Sequence, residues 1–225
     1  NPREKVIEYL LEDAEKKQKL IDLTVKEFAD ETSRESPAPG GGTISAYMGA
    51  LGAALGTMVA NLSSHKAGWD ARWEEFSNWA NKGQAIQSEL MVLVDEDTEA
   101  FNRIMSAFGL PKESAEEKTA RSMAIQEATL FATEVPLHTM QASYKVFELC
   151  RAMAEEGNPN SVSDAGVGVL AARAAVLGAG LNVKINASGL KDKQKAEQLV
   201  SEANILINKA NEAEKEIMKI VEAKL

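Results

Sequence analysis

From Pro37 to Ser64 the chain carries no charged side chain. The stretch opens Pro-Ala-Pro-Gly-Gly-Gly and continues as Ala, Gly, Ser and a few larger apolar residues. Pro37 and Pro39 favour extended backbone, and Gly40, Gly41 and Gly42 allow angles that other residues resist. Thr43 or Ser45 is the expected N-cap of a helix that runs to about Asn61. Gly49, Gly52 and Gly56 each cost about 1 kcal/mol relative to Ala inside that helix. Such a helix makes sense where other backbones, or a ligand, come close. Its free N-terminal N–H groups act as a partial positive charge and suit an anion or a carbonyl. A tight turn feeding a packed core helix would give the same pattern, and the residues leave both readings open. No Gly-Lys-Ser/Thr follows at phosphate-loop spacing, and no G-x-G-x-x-G follows a strand. The stretch is long enough to cross a bilayer. Its small residues, and the lack of aromatic and basic anchors on both flanks, favour a buried helix of a soluble protein.

The remainder reads as helix throughout. Residues 4–29 place Ile7, Leu10, Leu11, Ala14, Ile21, Val25 and Phe28 at helical spacing. Asp30 to Pro39 is a linker. A long helix is expected over about 70–108, stopped by Gly109-Leu110-Pro111. Ser114 with Glu117 forms a capping box for a helix to about Glu156, interrupted or kinked at Pro136. Gly157-Asn158-Pro159-Asn160 is a turn. A second Gly/Ala-rich helix covers about Asp164 to Asn186. A last helix covers about 191–224 and carries Leu199, Ala203, Leu206, Ala210, Ile217 and Val221 on one face. No period-2 strand pattern of useful length occurs. The expectation is an all-α, orthogonal or up-down bundle of about six helices in one domain over residues 1–225, with the two Gly/Ala-rich helices buried.

Composition narrows the function. A net charge of −9 without a dense basic run argues against nucleic-acid binding. One cysteine, Cys150, rules out an internal disulfide and fits a reducing, cytoplasmic setting. His65, His138 and Cys150 are too scattered for a zinc site, so no metal is expected. No signal peptide is visible, and a start at Asn1-Pro2-Arg3 fits a domain excised from a longer polypeptide.

Few side chains are placed for chemistry. Leu90, Leu93, Val94, Phe101, Ile104, Met105 and Phe108 form one apolar stripe, and Asp97 continues it. A carboxyl group there is expected to be partly buried, which raises its pKa unless it is paired, and suits a general acid or base. A structural ion pair is the alternative. Asp95 and Glu96 lie off the stripe and are expected in solvent. Asp164 opens the second small-residue helix, either as its N-cap or as a site carboxylate. Asn182 and Asn186 lie one turn apart and need partners from the core or from a polar heterocycle. Lys66 either meets an acidic ligand tail or is a solvated helix-terminal lysine. Trp69 and Trp73 are expected to pack on each other or in the core.

Pro37-Ala-Pro-Gly-Gly-Gly-Thr-Ile-Ser-Ala with Leu51-Gly-Ala-Ala-Leu-Gly56 resembles the opening motif of the formiminotetrahydrofolate cyclodeaminase family, which includes methenyltetrahydrofolate cyclohydrolases. Asp95-Glu-Asp-Thr-Glu-Ala-Phe101, Leu110-Pro-Lys112, Val135-Pro-Leu137, Gly157-Asn158, Ser163-Asp164 and Asn182-Val-Lys-Ile-Asn186 follow in the family's order. Each motif is loose; their order and spacing over about residues 5–220 are specific. Ser64-His65-Lys66 departs from the Gly-Lys or Gly-Arg pair often found there, and Lys184 stands where Arg is frequent.

The resemblance implies an all-helical, homodimeric domain, often fused behind a glutamate formiminotransferase domain, acting on folates that can be polyglutamylated. The implied reaction is a cyclodeaminase lyase step of histidine degradation: 5-formiminotetrahydrofolate gives 5,10-methenyltetrahydrofolate and ammonia, with no metal or redox cofactor. Asp97 and Asp164 are the candidate acid/base and pterin-orienting groups. Gly40, Gly41, Gly42, Ser45, Asn61, Lys66, Asn182, Lys184 and Asn186 are the candidate substrate ligands. Two alternatives stand: methenyltetrahydrofolate cyclohydrolase, and a noncatalytic helical dimerisation module.

Overall fold

The computed structural model describes residues 19–36 and 38–225. Among the described residues there are six α-helices and no strand: α1 Val25–Thr32, α2 Gly41–Ser64, α3 Trp73–Phe108, α4 Ala115–Glu156, α5 Val162–Ala187 and α6 Lys193–Glu222. Short 3-10 turns stand at Leu20–Asp22, Asp70–Arg72 and Pro159–Ser161. The all-α expectation and its two Gly/Ala-rich helices are met.

The first helix differs from expectation. Ile7, Leu10, Leu11 and Ala14 lie outside the described residues. From Lys19 the chain makes a 3-10 turn at Leu20–Asp22, and α1 begins at Val25, where Thr24 and Glu27 cap each other. The Glu27 carboxylate accepts from the Thr24 N–H at 2.8 Å, and the Thr24 hydroxyl accepts from the Glu27 N–H at 3.2 Å. Asp95 is half-buried rather than solvated; it accepts from the Leu20 N–H at 3.1 Å and ties this segment to α3.

α2 is the central element, packed against α3, α4 and α5, while α6 covers α4 and α5. α2 and α5 run antiparallel: Gly41 lies beside Asn182, Ser45 beside Gly178 and Gly52 beside Gly168. A Cβ at Gly52 would stand 2.8 Å from the Gly168 carbonyl oxygen, so only glycine lets these backbones touch. Ala46, Ala53, Ala60, Ala165, Val169, Ala172 and Val176 are fully buried around that contact. Several buried hydroxyls bond back to their own helices, as Thr57 does to the Ala53 carbonyl at 2.7 Å.

α2 starts at Gly41, with Gly40 in the N-cap position, not Thr43 or Ser45. Three glycines offer no side chain to compete with the helical backbone, so the helix extends back through them. α5 starts at Val162, and Asp164 lies in its first turn rather than at its cap, where it complements the helix dipole. At this end of the pair the Asn158 N–H donates to the Ser63 hydroxyl at 2.8 Å, fastening the turn before α5 to the end of α2. Trp69 stacks on Phe76 at 5.5 Å, while Trp73 is exposed. Cys150 is buried, which pushes its thiol up to about 12. The outer faces of α2 and α5 stay apolar and exposed at Leu51, Leu62, Val167, Leu170, Leu181 and Ile185.

Candidate active site

A cleft of about 220 Å³ opens at the N-terminal end of α2. Gly40, Gly41 and Gly42 form one wall. Asp97, Phe101 and Ile104 of α3 form a second, and Asn182 and Asn186 of α5 close it with Ala132 of α4. Four helices that are distant in sequence therefore converge here.

Asp97 is held over the start of α2. The Thr43 hydroxyl donates to Oδ2 at 2.7 Å and accepts from the Gly40 N–H at 3.3 Å. Gly42 is required beneath the carboxylate: a methyl group there would overlap it, 2.7 Å from Cγ. No Lys, Arg or His of the described residues pairs with Asp97. Burial pushes its carboxyl above the usual carboxylate range, against the weaker pull of hydrogen bonds from the Thr43 hydroxyl and backbone. The structural ion pair weighed for this residue does not occur among the described residues. The group is free to exchange a proton with whatever enters the cleft.

The two asparagines face the same space with a common orientation. Asn182 Nδ2 donates to the Gly178 carbonyl at 3.0 Å, and Asn186 Nδ2 donates across to the Ala132 carbonyl at 2.6 Å. Each amide oxygen is left as an acceptor. The cleft thus combines a protonatable carboxyl, two amide acceptors and the N–H groups of a helix N-terminus.

A sequence model described as formiminotransferase-cyclodeaminase matches residues 24–205. The chain belongs to that family. A methenyltetrahydrofolate cyclohydrolase of Methylorubrum extorquens is 39% identical over 202 residues, covering 90% of this chain and 97% of that protein. The rat formimidoyltransferase-cyclodeaminase is 33% identical over 204 residues, covering 89% of this chain. The chain spans only 38% of the length of that relative. A crystal structure of formiminotetrahydrofolate cyclodeaminase from Thermotoga maritima aligns with a TM-score of 0.80 at 25% identity, covering 91% of this chain and 98% of that one.

Within this cyclodeaminase-family fold, the expected site residues fall into two groups. Gly40, Gly41, Gly42, Asp97, Asn182 and Asn186 meet in the cleft. The others do not reach it within one chain. Ser45 is buried one turn inside α2, where its hydroxyl donates to the Gly41 carbonyl at 2.7 Å against Gly178. Asn61 and Lys66 belong to the opposite end of α2, about 30 Å along the axis at 1.5 Å per residue. Lys66 lies 4.0 Å over the Trp69 ring, and Asn61 faces a separate groove with His65 and Gln87. Asp164 is about 27 Å along α5 from Asn182. Lys184 points away, into a groove between α5 and α6.

The sequence offers Thr43 only as a cap, yet it is the residue that holds Asp97. Its signal was available: a hydroxyl one position after the last glycine of a helix N-terminus. Ala132 and the cleft-lining Phe101 and Ile104 carried no polar signal of their own.

Proposed function

We propose that this chain is a folate enzyme that acts at the carbon bridging N5 and N10, closing 5-formiminotetrahydrofolate to 5,10-methenyltetrahydrofolate with loss of ammonia. The observation that carries this reading is Asp97: a partly buried carboxyl group beside a helix N-terminus, with no cation partner among the described residues and a pKa raised by burial. The reaction needs one group that gives and takes protons in turn. Protonated Asp97 gives its proton to the imino nitrogen as N10 attacks the carbon. The carboxylate then takes the proton from N10, leaving a tetrahedral carbon bonded to N5, N10 and an amine. Asp97 returns that proton to the amine, the C–N bond breaks, ammonia leaves and the C=N5 bond of the methenyl cation forms. Solvent reprotonates the carboxylate, for a net uptake of one proton. Asn182 and Asn186 accept from pterin N–H groups, and the free N–H groups of α2 hold a carbonyl or carboxylate of the substrate. Binding the two nitrogens in this geometry supplies proximity. No metal takes part, and turnover is expected to be unchanged in excess EDTA.

The relative named as a cyclohydrolase, matched over 97% of its length, favours a second reading on the same site. Water adds to the methenyl carbon as the Asp97 carboxylate takes one of its protons; Asp97 returns that proton to N5 as the C–N5 bond breaks, and the hydroxyl proton passes to solvent as the formyl C=O forms, giving 10-formyltetrahydrofolate. Supplying each substrate to the purified protein separates the two: ammonia release marks the first, and consumption of the methenyl compound marks the second. A folded protein inactive on both would leave the noncatalytic scaffold.

On this reading the exposed apolar faces of α2 and α5 are covered by a second copy in a C2 homodimer. A monomer by light scattering at micromolar concentration would contradict that. The protein acts in cytoplasmic histidine degradation, on folates that can be polyglutamylated, beside a formiminotransferase domain where one is fused to it.

A further inference from the structure

Pro136 lies buried in the interior of α4. It has no N–H, so the carbonyl of Ala132, four residues earlier, loses its helical donor. That carbonyl lines the cleft side of α4, and Asn186 Nδ2 donates to it at 2.6 Å. The missing helical bond and the bond from α5 are therefore one feature. With one Nδ2 hydrogen committed to Ala132, the Asn186 amide cannot turn over, so Oδ1 is held in place as an acceptor beside the second Nδ2 hydrogen. Asn182, one turn earlier, is oriented the same way by the Gly178 carbonyl at 3.0 Å.

We propose that Pro136 is a positioning residue: by freeing the Ala132 carbonyl it locks Asn186 as an acceptor. The cleft then selects a ligand edge rich in N–H donors, such as the amino and ring N–H groups of a reduced pterin. The ligand class rests on the folate reading above; the locking of Asn186 does not. An amide free to turn over would present Oδ1 or Nδ2 at the same place, and discrimination between donor and acceptor edges would fall. A helix continued through residue 136 by alanine would reclaim the Ala132 carbonyl and release Asn186.

The test has two parts. In the wild-type protein, NMR should show the Asn186 side-chain NH₂ protected from hydrogen exchange, and Pro136→Ala should remove that protection while the melting temperature stays level or rises. This part needs no folate. In kinetics, Pro136→Ala should raise KM for the folate about tenfold, the loss of one well-made hydrogen bond, with kcat within about threefold. Asn186→Leu should raise KM at least as much, and Pro136→Ala added to Asn186→Leu should add nothing. An unprotected Asn186 amide in the wild type overturns the locking even if Pro136→Ala does not fold. Additive KM effects, or an unchanged KM in Pro136→Ala, overturn the link to the substrate. A protected amide in a wild-type protein that binds no 5-formyltetrahydrofolate would instead refute the folate reading and leave the locking intact.

Discussion

The two ends of the α2–α5 pair are built from the same small residues but behave differently. At the Ser64 end, several polar groups are already engaged: Ser63 holds the Asn158 N–H, Lys66 lies over Trp69, and the His65 ring bonds to Asn61 and Ser64. At the Gly41 end, Asp97 has no cation partner among the described residues, and two amides keep an acceptor each. The small-residue pair is thus a scaffold along its whole length and, on the proposed reading, a site only where α3 brings a partly buried carboxyl against it. Composition sets how closely the backbones pack; the neighbours decide which end reacts.

The largest test of this contrast is a pair of conservative substitutions. Asp97→Asn should lower kcat about 10²–10⁴-fold, the usual range for an acid/base group, with little loss of stability because no partner is stranded. Asp164→Asn at the other end should cost less than about tenfold, or 1.4 kcal/mol of barrier. Equal losses, with activity restored on mixing the two variants, would show that the ends meet across two copies.

Glycine substitutions give the next effect. Gly42→Ala should displace the carboxylate and remove most activity, because the added methyl overlaps Asp97. Gly52→Ala forces apart two backbones, and should cost about 1–3 kcal/mol of stability with kcat of the folded protein near normal. Urea melts and single-turnover rates on both variants check this. The reverse pattern would erase the distinction between site and scaffold.

The smallest effect is in the pH dependence of stability. The folded-state pKa of Asp97 is raised above its usual value of 3.8. Below that value both states hold the proton and nothing is gained. As pH rises from there through the folded pKa, the unfolded chain gives up its proton first, so this group makes the fold less stable, and the loss persists above the window. Asp97→Asn should therefore gain on the wild type across that window, in melts taken at successive pH values.

Much of this was legible in the chain. Caps such as Ser114 with Glu117 and the stop at Gly109 act locally, so their residues suffice to place them. Asp97 was legible because an apolar stripe makes a carboxylate conspicuous. Asp164 and Lys66 stand beside it as weaker candidates in the sequence, since spacing does not reveal which end of two antiparallel helices lies near α3. Thr43 and the Asn186 contact depend on pairs far apart in the chain, and Thr24 starts a helix of its own through a local capping signal that the apolar spacing masks.

The central claim is that folate chemistry occurs at the Gly41 end of the pair. A crystal structure with 5-formyltetrahydrofolate, in which a formyl oxygen replaces the imino nitrogen, tests it most directly. The account predicts the formyl group within hydrogen-bonding distance of Asp97 and the pterin N–H groups on the amide oxygens of Asn182 and Asn186. A pterin seated against Lys184 and α6, or at the Asn61–Lys66 end away from Asp97, would contradict it.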